Sequence, residues 1–386
     1  MNKLILIAIL FITISVKAQR IDFVDNNWPK AKAAAAEQKK YLLVDCYTDW
    51  CSWCKVMDKK TWPDKDVEAL VNAKFITVKM EMEHDYGINM AMKYRISGFP
   101  SFLVFAPDGR LVNKFFGYRE PVDFLKELNS SMNPGEHPGY PGVSSTVDLN
   151  YPEFYQKLFA GNGKREFPKD ATVNEFLDKQ TDYYSEVNYN VMVRFASQLS
   201  EKHRNFLFDN KAKYEQLYGK GDIDDAVYAV VQRLVKDGAK AKNINGLENG
   251  LQLVEKYLPK WDADAKQMLR LNYYRDAEDW TAMAKEVDTY VAKGNADGNR
   301  LNDWSWTIYE KCDDARVVAK AVNWMKPVIE KTPEYPTMDT YAALLYKAKR
   351  YSDAKTYAQK AIELGKANGD KTGETEELLK KIEAAK

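Results

Sequence analysis

Tyr41-Leu42-Leu43-Val44-Asp45-Cys46-Tyr47 runs into Thr48-Asp49-Trp50-Cys51-Ser52-Trp53-Cys54-Lys55, and this junction decides how the chain is read. The first seven residues are a short apolar run that reads as a parallel strand buried on both faces. A helix follows from near Cys51, and Pro63 ends or kinks it. Cysteines three apart on the first turn of a helix share a face and lie close enough to form a disulfide. Cys51 sits at the helix N-terminus, where unpaired N–H groups and the helix dipole stabilise a thiolate. Cys54, one turn in, is more protected and suited to resolving a mixed disulfide. A zinc site needs a second ligand pair, and none accompanies this one. A purely structural bridge gains little from closing so short a loop.

Working outward, the Ala- and Lys-rich residues 29–40 read as a helix before the strand. Beyond the cysteines come a helix over Asp66–Asn72, a strand over Phe75–Met80 and a helix near Tyr86–Tyr94. Pro107-Asp108-Gly109 turns a hairpin between strands Ser101–Phe105 and Arg110–Phe116. Pro121 opens a closing helix through Leu128. Strands alternating with helices predict an α/β fold, a mixed sheet flanked by helices, over 19–132.

These residues resemble the thioredoxin superfamily, most nearly exported bacterial proteins of the thiol–disulfide interchange type. The likeness rests on Val44–Lys55, on Ile96-Ser97-Gly98-Phe99-Pro100-Ser101 and on Gly117. It implies Cys51 as nucleophile, Cys54 as resolving thiol and Pro100 as a cis-proline lying against the pair. Phe99 would then offer its backbone to an extended substrate, as in strand addition. The resemblance also makes Asp45 a buried acid that relays a proton to or from Cys54. The alternative is a strand-end Asp that caps a loop. Lys79 matches the basic partner of that acid or stands exposed on an edge. Trp50 and Trp53 belong with Phe99 and Pro100 on the substrate surface, although a core role for the Trp50 ring is the competing reading. The Ser52-Trp53 dipeptide replaces the Gly-Pro of reducing thioredoxins and leaves the direction of exchange open.

The N-terminal Met-Asn-Lys, the apolar run Leu4–Val16 and Val16-Lys17-Ala18 predict a signal peptide over 1–18 and a periplasmic or secreted protein. The run is too short to span a bilayer, which takes ~20 apolar residues. The whole chain has 386 residues, with 57 Lys and Arg against 56 Asp and Glu. That balance excludes the electrostatic footprint of a nucleic-acid binder or a polybasic membrane anchor. Three scattered histidines and four cysteines argue against a histidine-rich metal site and a disulfide scaffold. The expected redox group is the cysteine pair itself, without metal or other cofactor.

Three Pro and three Gly between Met132 and Ser145 predict a linker over 133–149. From 150 to 386 helical periodicity dominates. Ala321, Met325, Val328 and Ile329 recur as Ala354, Ala358, Ala361 and Ile362, a repeat of about 33 residues. With Tyr341, Ala342, Leu345 and Tyr351 these positions resemble tetratricopeptide-type helix pairs over about 301–386. Cys312, matched by Leu345, and Cys46, within the buried strand, read as core thiols. Glu81, Glu83, His84 and Asp85 read as a solvated loop rather than a metal site.

The leading functional expectation is a thiol–disulfide oxidoreductase, a reductase of protein disulfides with an upstream electron donor or acceptor. The alternatives are a scaffold that binds a peptide or protein through its helical repeats, and a disulfide isomerase.

Overall fold

The computed structural model describes residues 20–159, 165–261, 263–295 and 297–385. The predicted signal peptide lies outside the described residues. The chain divides into two compact units between Ala226 and Val227.

The first unit opens with β1 (Phe23–Asp25), α1 (Trp28–Gln38), β2 (Tyr41–Tyr47), α2 (Ser52–Lys60), α3 (Lys65–Lys74) and β3 (Phe75–Glu81). It continues with α4 (Asp85–Tyr94), β4 (Ser101–Phe105), β5 (Leu111–Phe116) and α5 (Pro121–Ser131). The sheet order is β1-β3-β2-β4-β5. The first three strands run parallel, and β4 and β5 run antiparallel to their neighbours. β2 lies in the middle with Leu42–Cys46 all buried, which is why its sequence does not alternate.

Local chemistry sets the element ends. Asn27 Oδ1 accepts the N–H of Lys30 and starts α1, and Lys39, at φ 54°, closes it. Gly109, at φ 86°, and Asp108 Oδ1, which accepts the N–H of Arg110, form the β4–β5 turn. On one face of the sheet Trp62, Phe102, Phe115 and Phe124 pack ring on ring with Leu43, Met57 and Val67. Emptying that cluster, as in Phe124→Ala, is expected to cost about 3–5 kcal/mol.

The predicted linker is fastened along its length. Arg110 Nη1 donates to Pro138 O at 2.8 Å and the Tyr140 N–H to Leu111 O at 3.2 Å. The Gly142 N–H donates to Leu217 O at 2.8 Å, and the Ser144 N–H to Glu186 Oε2 at 3.0 Å. The helices Glu153–Gln156, Asp170–Asp178, Glu186–Arg194, Glu201–Asp209 and Lys211–Tyr218 then belong to the first unit. The division at 226/227 therefore differs from the expected break within 133–149, and the reason is electrostatic. Lys93, buried at the end of α4, donates to Glu186 Oε1 at 2.6 Å and to Ser144 Oγ at 3.0 Å. Arg95, the left-handed C-cap of α4, bonds Asn190 and Asp222 and lies 4.9 Å over the Tyr189 ring. A buried Lys93 and a half-buried Arg95 need such partners, and 133–226 supplies them.

The second unit is helical throughout its described residues. Its helices are Asn245–Tyr257, Ala263–Asp276, Trp280–Ala292, Gly298–Lys311, Ala315–Lys331, Tyr335–Lys347, Tyr351–Asn368 and Gly373–Ala384. The helix Asp222–Lys240 crosses the division. Ala321, Met325, Val328 and their counterparts Ala354, Ala358 and Ala361 are all buried, whereas Ile329 is buried and Ile362 only half-buried. Cys312 and Leu345 are both buried, in keeping with a core thiol. Among the described residues no helix is long and apolar enough to cross a membrane.

Candidate active site

β2 ends at Tyr47, and the chain turns through Thr48, Asp49 and Trp50, with the Cys51 N–H donating to Thr48 O at 3.0 Å. Cys51 is the N-cap of α2 in extended conformation, and its Sγ accepts the N–H of Cys54 at 3.0 Å. Cys51 and Cys54 form a disulfide with their Cα atoms 5.4 Å apart. A sulfur in the cap position takes up one of the N–H groups that a helix start leaves unpaired, so negative charge on Cys51 is favoured. The dipole adds about 0.3–1 kcal/mol. The expected contrast between an exposed Cys51 and a protected Cys54 is absent from this disulfide, since the two are 4% and 6% exposed. Their difference lies in position on the helix, cap against interior.

The Phe99–Pro100 peptide is cis. The Gly117 N–H donates to Pro100 O at 2.9 Å, from a backbone at φ 92° that favours glycine. Trp50 is 62% exposed, which removes the core reading of its ring. Its Nε1 donates to Glu83 Oε2 at 2.9 Å, and its ring meets Phe99 edge to face at 5.7 Å. Trp53, 57% exposed, faces Tyr118 with ring centroids 5.5 Å apart. The exposed Phe116 covers Gly98, where a Cβ would come within 2.5 Å of its ring. Trp50 and Phe99 are thus brought together, while Trp53 reaches Tyr118, a residue sequence reasoning missed. Its one pointer in the sequence was its place directly after Gly117.

Asp45 is 2% exposed and is the register partner of Lys79 in β3, whose Nζ lies 3.6 Å from Oδ2. Because β3 runs between β1 and β2, Lys79 is not on an edge. Lys79 also bonds Asp58, four residues after Cys54 and on the same face of α2. Burial pushes the Asp45 carboxyl up to about 6; Lys79 opposes the rise and the charge of Asp58 adds to it. A carboxyl poised near neutrality can take or give a proton during thiol exchange. Asp58 escaped sequence reasoning, although its i,i+4 spacing from Cys54 was visible.

Cys46 is buried, and burial, then the Asp45 charge, pushes its thiol well up. Burial also pushes up the thiol of Cys312. Glu81 departs from the expected solvated loop, because it closes β3 opposite Tyr47 and is only 7% exposed. Its Oε2 accepts the N–H of Glu83 at 2.8 Å, and burial raises its pKa. Among the described residues no group of three or more His, Cys, Asp or Glu is arranged to hold a metal.

A family profile described as thioredoxin-like matches residues 23–107. The thiol:disulfide interchange protein DsbD of Pseudomonas fluorescens is 32% identical over 77 residues, 20% of this chain and 13% of that protein. DsbD of Colwellia psychrerythraea is 33% identical over 97 residues, 24% of this chain and 16% of that protein. The chain therefore spans a small part of these relatives' length. A thioredoxin from Thermus thermophilus is 27% identical, covering 29% of this chain and 89% of that one, with a TM-score of 0.28. The mixed sheet, the CxxC pair and the thiol:disulfide interchange relatives together support a thiol–disulfide oxidoreductase. The N-terminal part of the chain, matched over residues 23–107, is a thioredoxin-like domain.

Proposed function

We propose that this protein is an exported thiol–disulfide oxidoreductase that reduces disulfides of protein substrates. The observation that carries the reading is the Cys51–Cys54 disulfide capped on the N-terminus of α2, with Cys51 Sγ accepting the Cys54 N–H. In the reduced protein the Cys51 thiolate attacks one sulfur of a substrate disulfide. That forms a Cys51–substrate bond and releases the other substrate sulfur as a thiolate. The Cys54 thiol gives its proton to Asp45 and attacks Cys51 Sγ, which closes the Cys51–Cys54 bond and frees the second substrate thiolate. The substrate gains two electrons, and an upstream dithiol donor restores the pair. Phe99 and Pro100 hold the substrate strand, with Trp50 and Trp53 beside it. The N-terminal charge and apolar run of residues 1–18 support export.

The test is reduction of insulin disulfides by the full chain with dithiothreitol as donor. Wild type accelerates the reaction and Cys51→Ser does not. Direction is read from the potential of the pair. A value near about −270 mV supports the reductase, and one near about −120 mV reverses it to an oxidant.

A further inference from the structure

We infer that Trp53 and Tyr118 form a specificity platform selecting substrate segments with a large apolar or aromatic residue beside the reacting cysteine. The inference rests on the oxidoreductase reading above and names the substrate class of that same site.

Covalent chemistry sets the geometry. In a mixed disulfide the two Cβ atoms are about 3.5–4.5 Å apart, so residues flanking the substrate cysteine must lie against the side chains around Cys51. Trp50 is already engaged, its indole N–H on Glu83 and its ring against Phe99. Trp53, inside the CxxC itself, instead presents a largely exposed ring that continues into Tyr118, the two planes only 30° apart. Trp53 stands two residues from Cys51, and its ring extends an apolar surface onto Tyr118, which is half-buried against the core.

That surface is held in place before anything binds. Trp53 lies in the first turn of α2, between the two bonded cysteines. Both neighbours of Tyr118 are tied down. The Gly117 N–H is on Pro100 O, and Arg119 O accepts from Thr61 Oγ1 at 2.6 Å, at the end of α2. A preorganised aromatic surface gives up little conformational entropy on binding, and two such rings can bury a large area. Its partner is an extended segment. Cysteines and large apolar residues are mostly buried in folded proteins, so such a pair becomes reachable when the chain is unfolded.

The experiment is single-turnover reduction by the reduced full chain, with no other reductant present. Two peptides are used, each with one intramolecular disulfide and with either Phe or Ser on both sides of the cysteines. Each turnover oxidises the Cys51–Cys54 dithiol and leaves two peptide thiols, which are counted. The Phe peptide is expected to react about tenfold faster than the Ser peptide, as one apolar group in a receptive site allows. Trp53→Ser and Tyr118→Ser each collapse that ratio towards one, while Trp53→Phe retains it. Because the readout is a ratio within one protein, loss of folded material cancels. Equal rates in wild type, or an unchanged ratio in both Ser variants, overturns the platform while leaving the oxidoreductase in place. Failure to reduce either peptide removes the reductase reading and the platform with it.

Discussion

Asp45 and Lys79 face each other as register partners across β2 and β3, with Lys79 Nζ 3.6 Å from Asp45 Oδ2. Lys79 is shared with Asp58, so the buried carboxylate has only part of a counter-ion. Burial then wins over attraction, and Asp45 titrates near neutrality instead of near its ordinary value.

The folded-state pKa of about 6 exceeds the unfolded value, so the folded protein holds the Asp45 proton more tightly. Stability from this group is fully present below the unfolded pKa, about 3.9, and is lost as pH rises through the folded pKa. Ionising Asp45 therefore costs about 3 kcal/mol at neutral pH. Asp45→Asn is expected to be more stable than wild type near neutral pH and about equal to it in acid. Denaturant unfolding at the two pH values checks this. Exchange in the same variant slows by about a hundredfold, because an amide cannot carry the proton. Unchanged turnover would make Asp45 structural.

Asp58→Asn removes a charge that raises Asp45 and releases Lys79 to pair with it. Both effects lower the Asp45 pKa. The acid limb of the pH–rate profile for insulin reduction should move to lower pH, while Asp45→Asn abolishes that limb. A limb that stays put in Asp58→Asn would leave Asp58 without influence on the proton transfer.

Asp222→Ala leaves the half-buried Arg95 without its carboxylate and is expected to cost about 3 kcal/mol. Although burial works against ionisation of Asp222, Arg95 and Lys114 hold its carboxyl down at about 2. The stability it contributes is present above the unfolded pKa and is lost as pH falls through about 2. Urea titrations of wild type and variant between neutral pH and strong acid should converge at the acid end. By the same argument a fragment ending near Ser131 is expected to lose cooperative unfolding. One that continues through Lys240 keeps it, which circular-dichroism melts of both would show.

Four strands of the sheet were legible because their signals are local, whereas β1, three residues held by pairing with β3, was not read. The run Tyr41–Tyr47, the Pro107-Asp108-Gly109 turn and Pro121 at a helix start place elements within a residue or two of where they lie. The cysteine pair was legible from spacing alone. The reach of the first unit was not, because Arg95 and Asp222 are separated by 127 residues and a polar pair leaves no periodic trace. Glu81 misled for a related reason. Its charge points to solvent, but its place as the last residue of β3, opposite Tyr47, buries it. Tyr118 and Asp58 carry no motif. They matter through a backbone bond from the preceding glycine and through a lysine on another strand.

The most direct measurement is the mass of the covalent adduct formed when reduced full-chain Cys54→Ser meets a disulfide-bonded protein such as insulin. A mixed disulfide on Cys51, released by dithiothreitol and absent from Cys51→Ser, is the predicted result. An adduct on Cys46 or Cys312, or none in Cys54→Ser, would contradict the assignment of Cys51 as the attacking thiolate.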